Sequence, residues 1–360
     1  MTVVHLSPTY FDPRSVIAGA ERYTYELAKA MAPKVQTRLV TFGPDAFVRR
    51  DGDLTIRCYR PLTMIRGNVA NPWSLGHLRD VLEADVVHCH QLATVVTDLA
   101  VLLGWACRKP VFMTDLAGSA DVSLWYHLPL WKGLRALLLI SEHNRDRFRH
   151  LPVPQEIIYG GVDALRFAPQ EIPRTRRLLH VGRILPHKGI HHLLAVLPEG
   201  VGADIVGSVR DPAYYEQLQA QSRGRDVLFH TRLGDEAVIG LYQRAWVTVL
   251  PATADSGFTA ALESLACGTP VIGTAVGSLP ELIEDGVTGW IVPPDDPTAL
   301  RAAIDTALSD PLRAEAMGRR GRAVVLERFT WEAVVARCLK AYARCGVARW
   351  PARKSGILPT

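Results

Sequence analysis

Two basic and two acidic side chains in the second half of the chain have the types and spacing to bind a ligand with phosphate and sugar groups. Arg183 and Lys188 each lie beside a glycine, and Asp255 and Glu263 bracket a short segment further along. A planar guanidinium and a compact ammonium can together hold a diphosphate. Carboxylates accept hydrogen bonds, so the acidic pair suits ribose and hexose hydroxyls.

These side chains follow short apolar segments that are typical of buried strands. Leu178–Val181 precedes the segment with the two cations, and Val247–Leu250 precedes Asp255. In parallel sheets, ligands bind beyond the carboxyl ends of the strands. Both motifs are therefore predicted at the edge of a sheet where a ligand would lie.

The turn that follows Asp255 leads into a helix, where Phe258 and Thr259 could present backbone N–H groups to an anion. Glu263 falls on the second turn of this helix, and its side chain projects back towards the helix N-terminus. Two carboxylates could also form a glycosidase pair, but the cations argue against it. Glu263 could instead be an exposed helix residue, although its apolar neighbours disfavour that.

The first half carries weaker signals. Gly19 lies in a segment of small residues between the first strand and the first helix, where backbone could approach a phosphate closely; alone, this would be an ordinary turn. His88 and His90 share one face of a strand. A His-x-His pair can bind a metal, but no third ligand is evident nearby. We therefore prefer one structural histidine and one that faces a site.

Apolar segments alternate with amphipathic helical patterns along the whole chain, which indicates parallel sheets covered by helices. The pattern restarts after Gly160–Asp163, so two such domains are expected. The strand patterns are Val3–Ser7, Val35–Thr41, Val86–His90, Val111–Thr114, Leu137–Ser141, Leu178–Val181, Ala203–Val206, Val227–His230, Val247–Leu250 and Val271–Thr274, and the helix patterns are Glu21–Met31, Leu75–Glu83, Tyr214–Ser222, Glu236–Ala245, Thr259–Ala266 and Thr330–Arg344.

The predicted organisation is an N-terminal domain over residues 1–163, a C-terminal domain over 164–329, a helix over 330–345 that returns to the first domain, and a mobile tail over 346–360. The 360 residues are 48% hydrophobic and 21% charged, which is enough apolar material for two cores.

The net charge of +5 comes without a dense basic block, so nucleic acid is not expected as a partner. The six cysteines show no Cys-x-x-Cys spacing, and the start lacks the features of a signal peptide. We expect a reduced, cytoplasmic protein without a zinc site.

Taken together, the motifs resemble those of the retaining glycosyltransferases of family 4, which have the GT-B fold. The resemblance extends from Val3 to about Tyr342 and is most specific in the second half. The segments that carry it are Gly182-Arg183 with Lys188-Gly189, Asp255 to Glu263, Ala266–Ile272, Val276–Glu281, Asp285–Gly289 and Gly160–Asp163.

The resemblance implies two Rossmann-like α/β domains that face each other across a cleft, and a retaining, metal-independent transferase of hexosyl groups. Arg183 and Lys188 would neutralise the diphosphate, Asp255 would hold the sugar hydroxyls and Glu263 the ribose. The residues implied in donor binding are Gly19, Gly182, Gly257, Phe258 and Thr259.

Three departures from the family pattern stand out. Asp255 replaces a glutamate, and the family's Phe-Gly is reversed to Gly257-Phe258. The histidine that the family carries after its fourth strand is missing, and Asp115 or His90 are the candidates to replace it at the acceptor or sugar.

No metal or other cofactor is expected beside the nucleotide-sugar donor. Asp51-Gly52-Asp53 has the spacing of a metal-binding Asp-x-Asp motif but falls in a basic loop, so we discount it. The altered motifs leave two alternatives open, which are a nucleotide-sugar epimerase of the same fold and a non-catalytic nucleotide-sugar binder.

The resemblance implies a glycan or lipid-linked acceptor, as in the synthesis of envelope polysaccharides. Aromatic residues over Trp125–Trp131 could seat the first domain at the inner face of a membrane, and a water-soluble acceptor is equally compatible. The arginines that could attract a phosphorylated acceptor, with only Asp51 and Asp53 nearby in sequence, are Arg49, Arg50, Arg57, Arg60 and Arg66.

Overall fold

The computed structural model describes residues 1–9, 19–116, 122–254 and 258–347. The chain divides into two compact units. Unit 1 comprises Met1–Ile140, Asn144–Tyr159 and the chain from Val334 onward, and unit 2 comprises Ser141–His143 and Gly160–Ala333. Each unit is built on one predominantly or wholly parallel sheet with its own apolar core.

Unit 1 contains a sheet in the order β10-β9-β8-β7-β1-β2-β4-β3, and a separate short pair, β5 with β6. In chain order its elements are β1 Thr2–Leu6, α1 Gly19–Met31, β2 Gln36–Phe42, β3 Phe47–Asp51, β4 Leu54–Tyr59, β5 Thr63–Met64, β6 Pro72–Trp73, α2 Leu78–Glu83, β7 Val86–His90, α3 Val95–Ala106, β8 Val111–Thr114, β9 Leu134–Leu139, α4 His143–Phe148 and β10 Gln155–Ile157.

Unit 2 contains an all-parallel sheet in the order β13-β12-β11-β14-β15-β16. Its elements are β11 Arg177–Val181, α5 Ile190–Val196, β12 Gly202–Val206, α6 Pro212–Gln221, β13 Val227–His230, α7 Asp235–Arg244, β14 Val247–Leu250, α8 Phe258–Ala266, β15 Val271–Thr274, α9 Leu279–Leu282, β16 Gly289–Val292, α10 Pro297–Ser309 and α11 Pro311–Arg328, and they are followed by α12 Trp331–Arg344.

The central strands are buried on both faces, which is why they read as continuous apolar runs in the sequence. Every residue of β7, β8, β14 and β15 is buried. One face of α12 packs against unit 1, where the Tyr342 ring lies 4.6 Å from the Phe112 ring. No helix of the described residues is long and apolar enough to cross a membrane.

Helices α10 and α11 were missed in the sequence analysis although both carry a clear start signal. Asp296 accepts a hydrogen bond from the Ala299 N–H, and Pro297 occupies the first helical turn. Asp310 and Pro311 begin α11 in the same way. An Asp-Pro pair combines an N-cap acceptor with a residue whose missing N–H costs a first turn nothing.

The segment around Asp51-Gly52-Asp53, which we expected in a loop, forms the turn of a β-hairpin. Strands β3 and β4 pair antiparallel, and Gly52 adopts a left-handed φ of 58° between them. The expectation of purely parallel pairing is therefore wrong at this end of the unit 1 sheet. Burial alternates along β4, so only every second residue of this strand faces the core.

Arg57 is not a member of a free basic cluster, because it faces a buried carboxylate that is distant in sequence. Its Nη1 donates to Asp80 Oδ1 at 2.8 Å, and the Tyr59 hydroxyl donates to Asp80 Oδ2 at 2.6 Å. Arg38 bonds the same fully buried carboxylate. The residues near Arg57 in the sequence did not show that Asp80 compensates its charge.

Candidate functional site

The two cations predicted to bind phosphate lie at the carboxyl end of β11 in unit 2. Gly182 and exposed Arg183 follow the strand, and a single 3₁₀ turn over Pro186–Lys188 comes next. Lys188 is buried, with 8% exposure. Gly189 then takes a left-handed φ of 67° and leads into α5. The segment thus presents one cation on the surface and one beneath it.

The segments after β11 and β14 meet at this edge of the sheet because the two strands are neighbours. The Thr253 N–H donates to the His187 carbonyl at 2.9 Å. A Cβ on Gly189 would lie 1.9 Å from the Pro251 carbonyl oxygen, so only glycine permits this approach. The cationic segment is therefore held directly against the segment that precedes the acidic motif.

Glu263 occupies the second turn of α8 and is buried, not exposed. The Tyr242 hydroxyl donates to Glu263 Oε2 at 3.0 Å, and Tyr242 itself is fully buried. Phe167 packs against the Tyr242 ring at 6.3 Å. Sequence analysis had no signal for Tyr242, because it lies on α7 and reaches Glu263 only through helix packing. The carboxylate is thus fixed by a neighbouring helix.

The other predicted donor-binding residues lie around the start of α8. Phe258 and Thr259 are the first two residues of the helix, and Thr259 is exposed. Phe258 packs edge-on against Phe329 at 6.0 Å. Asp255 and Gly257 lie outside the described residues, so the predicted sugar contact of Asp255 stays a prediction.

His180 is a further candidate that sequence analysis missed. Its Nδ1 donates to the Val249 carbonyl at 2.9 Å, which leaves Nε2 as the unprotonated nitrogen. A Cβ added to Gly182 would lie 3.3 Å from that Nε2, so the histidine borders the cationic segment. Burial, with a smaller contribution from the charge of Lys188, lowers the pKa of His180 to about 4, which keeps the ring neutral at pH 7.

In unit 1, Gly19 is the exposed first residue of α1, and a Cβ there would meet nothing within 4 Å. The described surroundings therefore do not demand glycine at this position, and its phosphate contact stays a prediction.

Asp115 follows β8 and is 4% exposed. Arg147 Nη1 donates to its carboxylate at 2.7 Å, so the charge of Asp115 is already compensated.

The structure supplies the third residue that the His88 and His90 pair lacked in the sequence. His5, from the neighbouring strand β1, brings its ring to 5.1 Å from His88 and 5.2 Å from His90. The three offer nitrogens within 4.8 Å of one another, and all three are fully buried. The expectation that no third ligand lies near His88 and His90 is therefore wrong, because His5 is brought to them by strand pairing.

Hydrogen bonds already use most of these nitrogens. His88 Nε2 pairs with the Thr114 hydroxyl and His88 Nδ1 with the Tyr342 hydroxyl, both at 2.8 Å. His5 Nδ1 lies 2.9 Å from His90 Nε2, a hydrogen-bond distance. His88 is therefore a structural residue that ties α12 to the sheet, whereas His90 ends β7 at the edge where ligands bind.

The arrangement in unit 2 can hold an anion beside a group that carries hydroxyls. Cationic side chains and a helix N-terminus attract negative charge at one sheet edge. A fixed carboxylate on the same helix accepts hydrogen bonds from hydroxyls. These are the two recognition elements that a nucleoside diphosphate bound to a sugar requires.

Comparison with known proteins adds independent information. A family model described as "Glycosyl transferases group 1" matches residues 162–324, and one described as "Glycosyltransferase Family 4" matches residues 17–166. The chain is 33% identical over 386 aligned positions to a glycogen synthase of Mycobacterium tuberculosis, and the match covers 92% of each chain.

Solved structures show the same fold at low sequence identity. The sucrose-phosphate synthase of Thermosynechococcus elongatus superposes with a TM-score of 0.76 at 21% identity, covering 97% of this chain and 100% of that one. HepE of Anabaena, in complex with UDP and glucose, superposes with a TM-score of 0.71 at 19% identity, covering 96% and 100%.

The close approach at Gly189 yields a prediction about stability. We expect Gly189→Ala to lower the free energy of unfolding by about 2–4 kcal/mol, since it adds left-handed strain and a backbone clash with Pro251. Gly200→Ala is the matched control, because Gly200 has a φ of 71° but nothing within 4 Å of a Cβ. Urea unfolding measures both, and equal losses would contradict the role of the clash.

Proposed function

Because this chain belongs to glycosyltransferase family 4, we propose that it transfers a hexose from a nucleotide-diphosphate sugar to a glycan or lipid-linked acceptor, with retention of configuration and without a metal ion. The observation that carries the proposal is the cationic segment with Arg183 and Lys188, joined to the segment before the acidic motif at one sheet edge. Such a pairing suits a leaving diphosphate.

In the proposed reaction, the bond between the sugar's anomeric carbon and the phosphate oxygen breaks, and a bond to the acceptor oxygen forms on the same face. The departing phosphate takes the proton of the acceptor hydroxyl. Negative charge grows on the diphosphate as its bond to the sugar breaks. Arg183 and Lys188 stabilise that charge, and this electrostatic term lowers the barrier.

The remaining donor contacts follow from the same edge. Glu263, held by the Tyr242 hydroxyl, accepts hydrogen bonds from the ribose, and Asp255 accepts them from the transferred sugar. Backbone N–H groups at Phe258 and Thr259 face the phosphates. The UDP and glucose in the HepE complex are ligands of that protein, and they make UDP-glucose a first donor to test here.

The cationic segment gives the most direct test. We expect Arg183→Ala and Lys188→Ala each to lower the rate of sugar transfer by about tenfold or more, because a hydrogen bond to a charged group contributes roughly 1.5–3 kcal/mol. The measurement is release of nucleoside diphosphate from the donor that gives the largest thermal shift among UDP-glucose, ADP-glucose and GDP-mannose.

Arg223→Ala is the matched control for these variants, since Arg223 is an exposed arginine of the same unit at the end of α6. Its rate and its midpoint of thermal unfolding should equal those of the wild type. Wild-type rates in both test variants would remove the diphosphate role from the segment.

Two cations in place of a divalent ion imply activity without metal. We expect the transfer rate to stay within about twofold after treatment with EDTA, since the protein's own charges stabilise the diphosphate. Loss of activity on chelation, restored by magnesium or manganese, would contradict this part of the proposal.

For a lipid-linked acceptor, we propose in addition that unit 1 contacts the membrane surface. Trp105, Tyr126 and Leu128 are 49%, 54% and 45% exposed, and Trp105 packs beside Gly133 in the segment that follows Tyr126 and Leu128. Lys132 lies over the Trp131 ring at 5.5 Å. Exposed aromatic and apolar groups beside cations are typical of surfaces that bind anionic bilayers.

Sedimentation with vesicles tests this contact. We expect the protein to pellet with phosphatidylglycerol vesicles at low salt and to be released as salt increases, because screening weakens attraction to the lipid headgroups. Substitution of Trp105, Tyr126 and Leu128 by serine should abolish binding, whereas Leu312→Ser, at an exposed position of unit 2, should not. Absence of binding together with full activity on a soluble acceptor would leave a soluble acceptor as the substrate.

A further inference from the structure

The buried histidines of unit 1 form a directed chain of hydrogen bonds that begins at a methionine. His5 Nε2 lies 3.4 Å from the sulfur of Met31, and His5 Nδ1 lies 2.9 Å from His90 Nε2. Met31 is the last residue of α1, His5 belongs to β1, and His90 ends β7. The chain therefore runs from a helix, through the sheet, to its carboxyl edge.

The chemistry of the partners determines where the protons are. Burial lowers the pKa of His5 to about 3, and it lowers the pKa of His90 well below its usual value, so both rings are neutral at pH 7. A neutral imidazole carries one N–H, and a thioether sulfur can only accept. The proton of His5 therefore lies on Nε2, where it points at Met31.

The bare Nδ1 of His5 can then only accept, so the proton of His90 lies on Nε2. This leaves His90 Nδ1 as an unprotonated nitrogen. It is buried and has no hydrogen-bond partner among the described residues. If the proton of His5 were on Nδ1 instead, the unprotonated Nε2 would face the Met31 sulfur and that hydrogen bond would be lost. The observed contacts therefore favour the tautomer of His90 that is protonated on Nε2.

We propose that His5, with Met31 behind it, is a positioning residue that holds His90 in the tautomer whose Nδ1 accepts a hydrogen bond from a sugar hydroxyl at the carboxyl edge of unit 1. The inference rests on the proposed function for its sugar substrate. A bare nitrogen accepts a proton from a hydroxyl and repels a phosphate oxygen, so the site selects hydroxyls over phosphate.

His88 does not compete for this role, since both of its nitrogens are bonded, to Thr114 and to Tyr342. Its ring lies against the His90 ring with centroids 4.1 Å apart and a tilt of 32° between the planes, and so limits the rotation of the His90 ring. The tautomer and the orientation of His90 thus come from two different neighbours. His5 determines which nitrogen of His90 carries the proton, and His88 determines the orientation of the His90 ring.

Imidazole ¹⁵N NMR of the full chain reads the tautomers directly and needs no substrate. We expect a protonated Nε2 and a bare Nδ1 for His90 in the wild type. His5→Asn keeps an oxygen acceptor near the place of Nδ1 and should preserve that state, whereas His5→Phe has a ring without an acceptor and should give a mixture of tautomers. His180, in unit 2, is the internal reference, and its resonances should not change.

If His5→Phe does not fold, Met31→Leu replaces it, since this swap nearly conserves volume and removes only the sulfur acceptor. It should shift the tautomer populations of His5 and His90 together. A wild-type His90 protonated on Nδ1, or populations unchanged in both variants, would overturn the inference.

Glucose and inorganic phosphate, added separately to the labelled protein, probe the selectivity. Glucose should shift the His90 Nδ1 resonance and phosphate should not; a shift with phosphate alone, or with neither, would overturn the hydroxyl role. In turnover, His5→Phe should lower kcat about tenfold, because a mispositioned group loses rate, and His5→Asn should restore it.

Two turnover measurements identify the source of the hydroxyl. Slower hydrolysis of the donor alone assigns it to the transferred sugar, and a loss confined to transfer assigns it to the acceptor. An unchanged kcat in a variant with mixed tautomers would overturn the positioning role. A wild type that turns over no donor, yet shows the expected tautomers and the response to glucose, would count against the proposed function and leave the histidine inference standing.

Discussion

The contact between the backbone at Gly189 and the carbonyl of Pro251 is the constraint on which the candidate donor site depends. It lets the segment after β11 lie against the segment after β14 without any side chain between them. The hydrogen bond from Thr253 to His187 secures the same approach. Charged groups that are distant in sequence reach one sheet edge for two reasons. Strands β11 and β14 are parallel neighbours, and Gly189, where the two following segments touch, has no Cβ.

Buried polar groups are the second feature of both units, and in each case a hydrogen bond determines what the group can do. Tyr242 fixes one oxygen of Glu263. His5 and Met31 determine the proton position on His90 by the logic of donors and acceptors. Most buried polar groups are hydrogen-bonded, so each such network restricts orientation and protonation together. A ligand then meets groups that are already arranged, and binding costs less reorganisation.

Some arginines of unit 1 are paired with carboxylates from other elements. Asp80 compensates Arg57, and Asp115 accepts from Arg147. The aromatic and apolar side chains around Trp105 are exposed, whereas Arg57 of β4 is already bound by a carboxylate. A count of basic residues overstates the uncompensated positive charge of this unit, because the carboxylate of Asp80 on α2 pairs with Arg57 on β4.

The sequence by itself determined the family, the two parallel-sheet units, most of the central strands, the strand end that carries the cationic segment and the helical position of Glu263. These follow from local patterns, because apolar runs, glycines and charged residues act within a few positions of one another. The β3–β4 hairpin and helices α10 and α11 also have local signals in the sequence, which are the alternation of apolar and other residues along β4 and the Asp-Pro starts of the helices. Only the tertiary structure decided that His5 joins His90, that Tyr242 holds Glu263 and that Asp80 neutralises Arg57. Each pairing joins residues on different elements, and distance in space depends on strand order and helix packing, which no local pattern encodes.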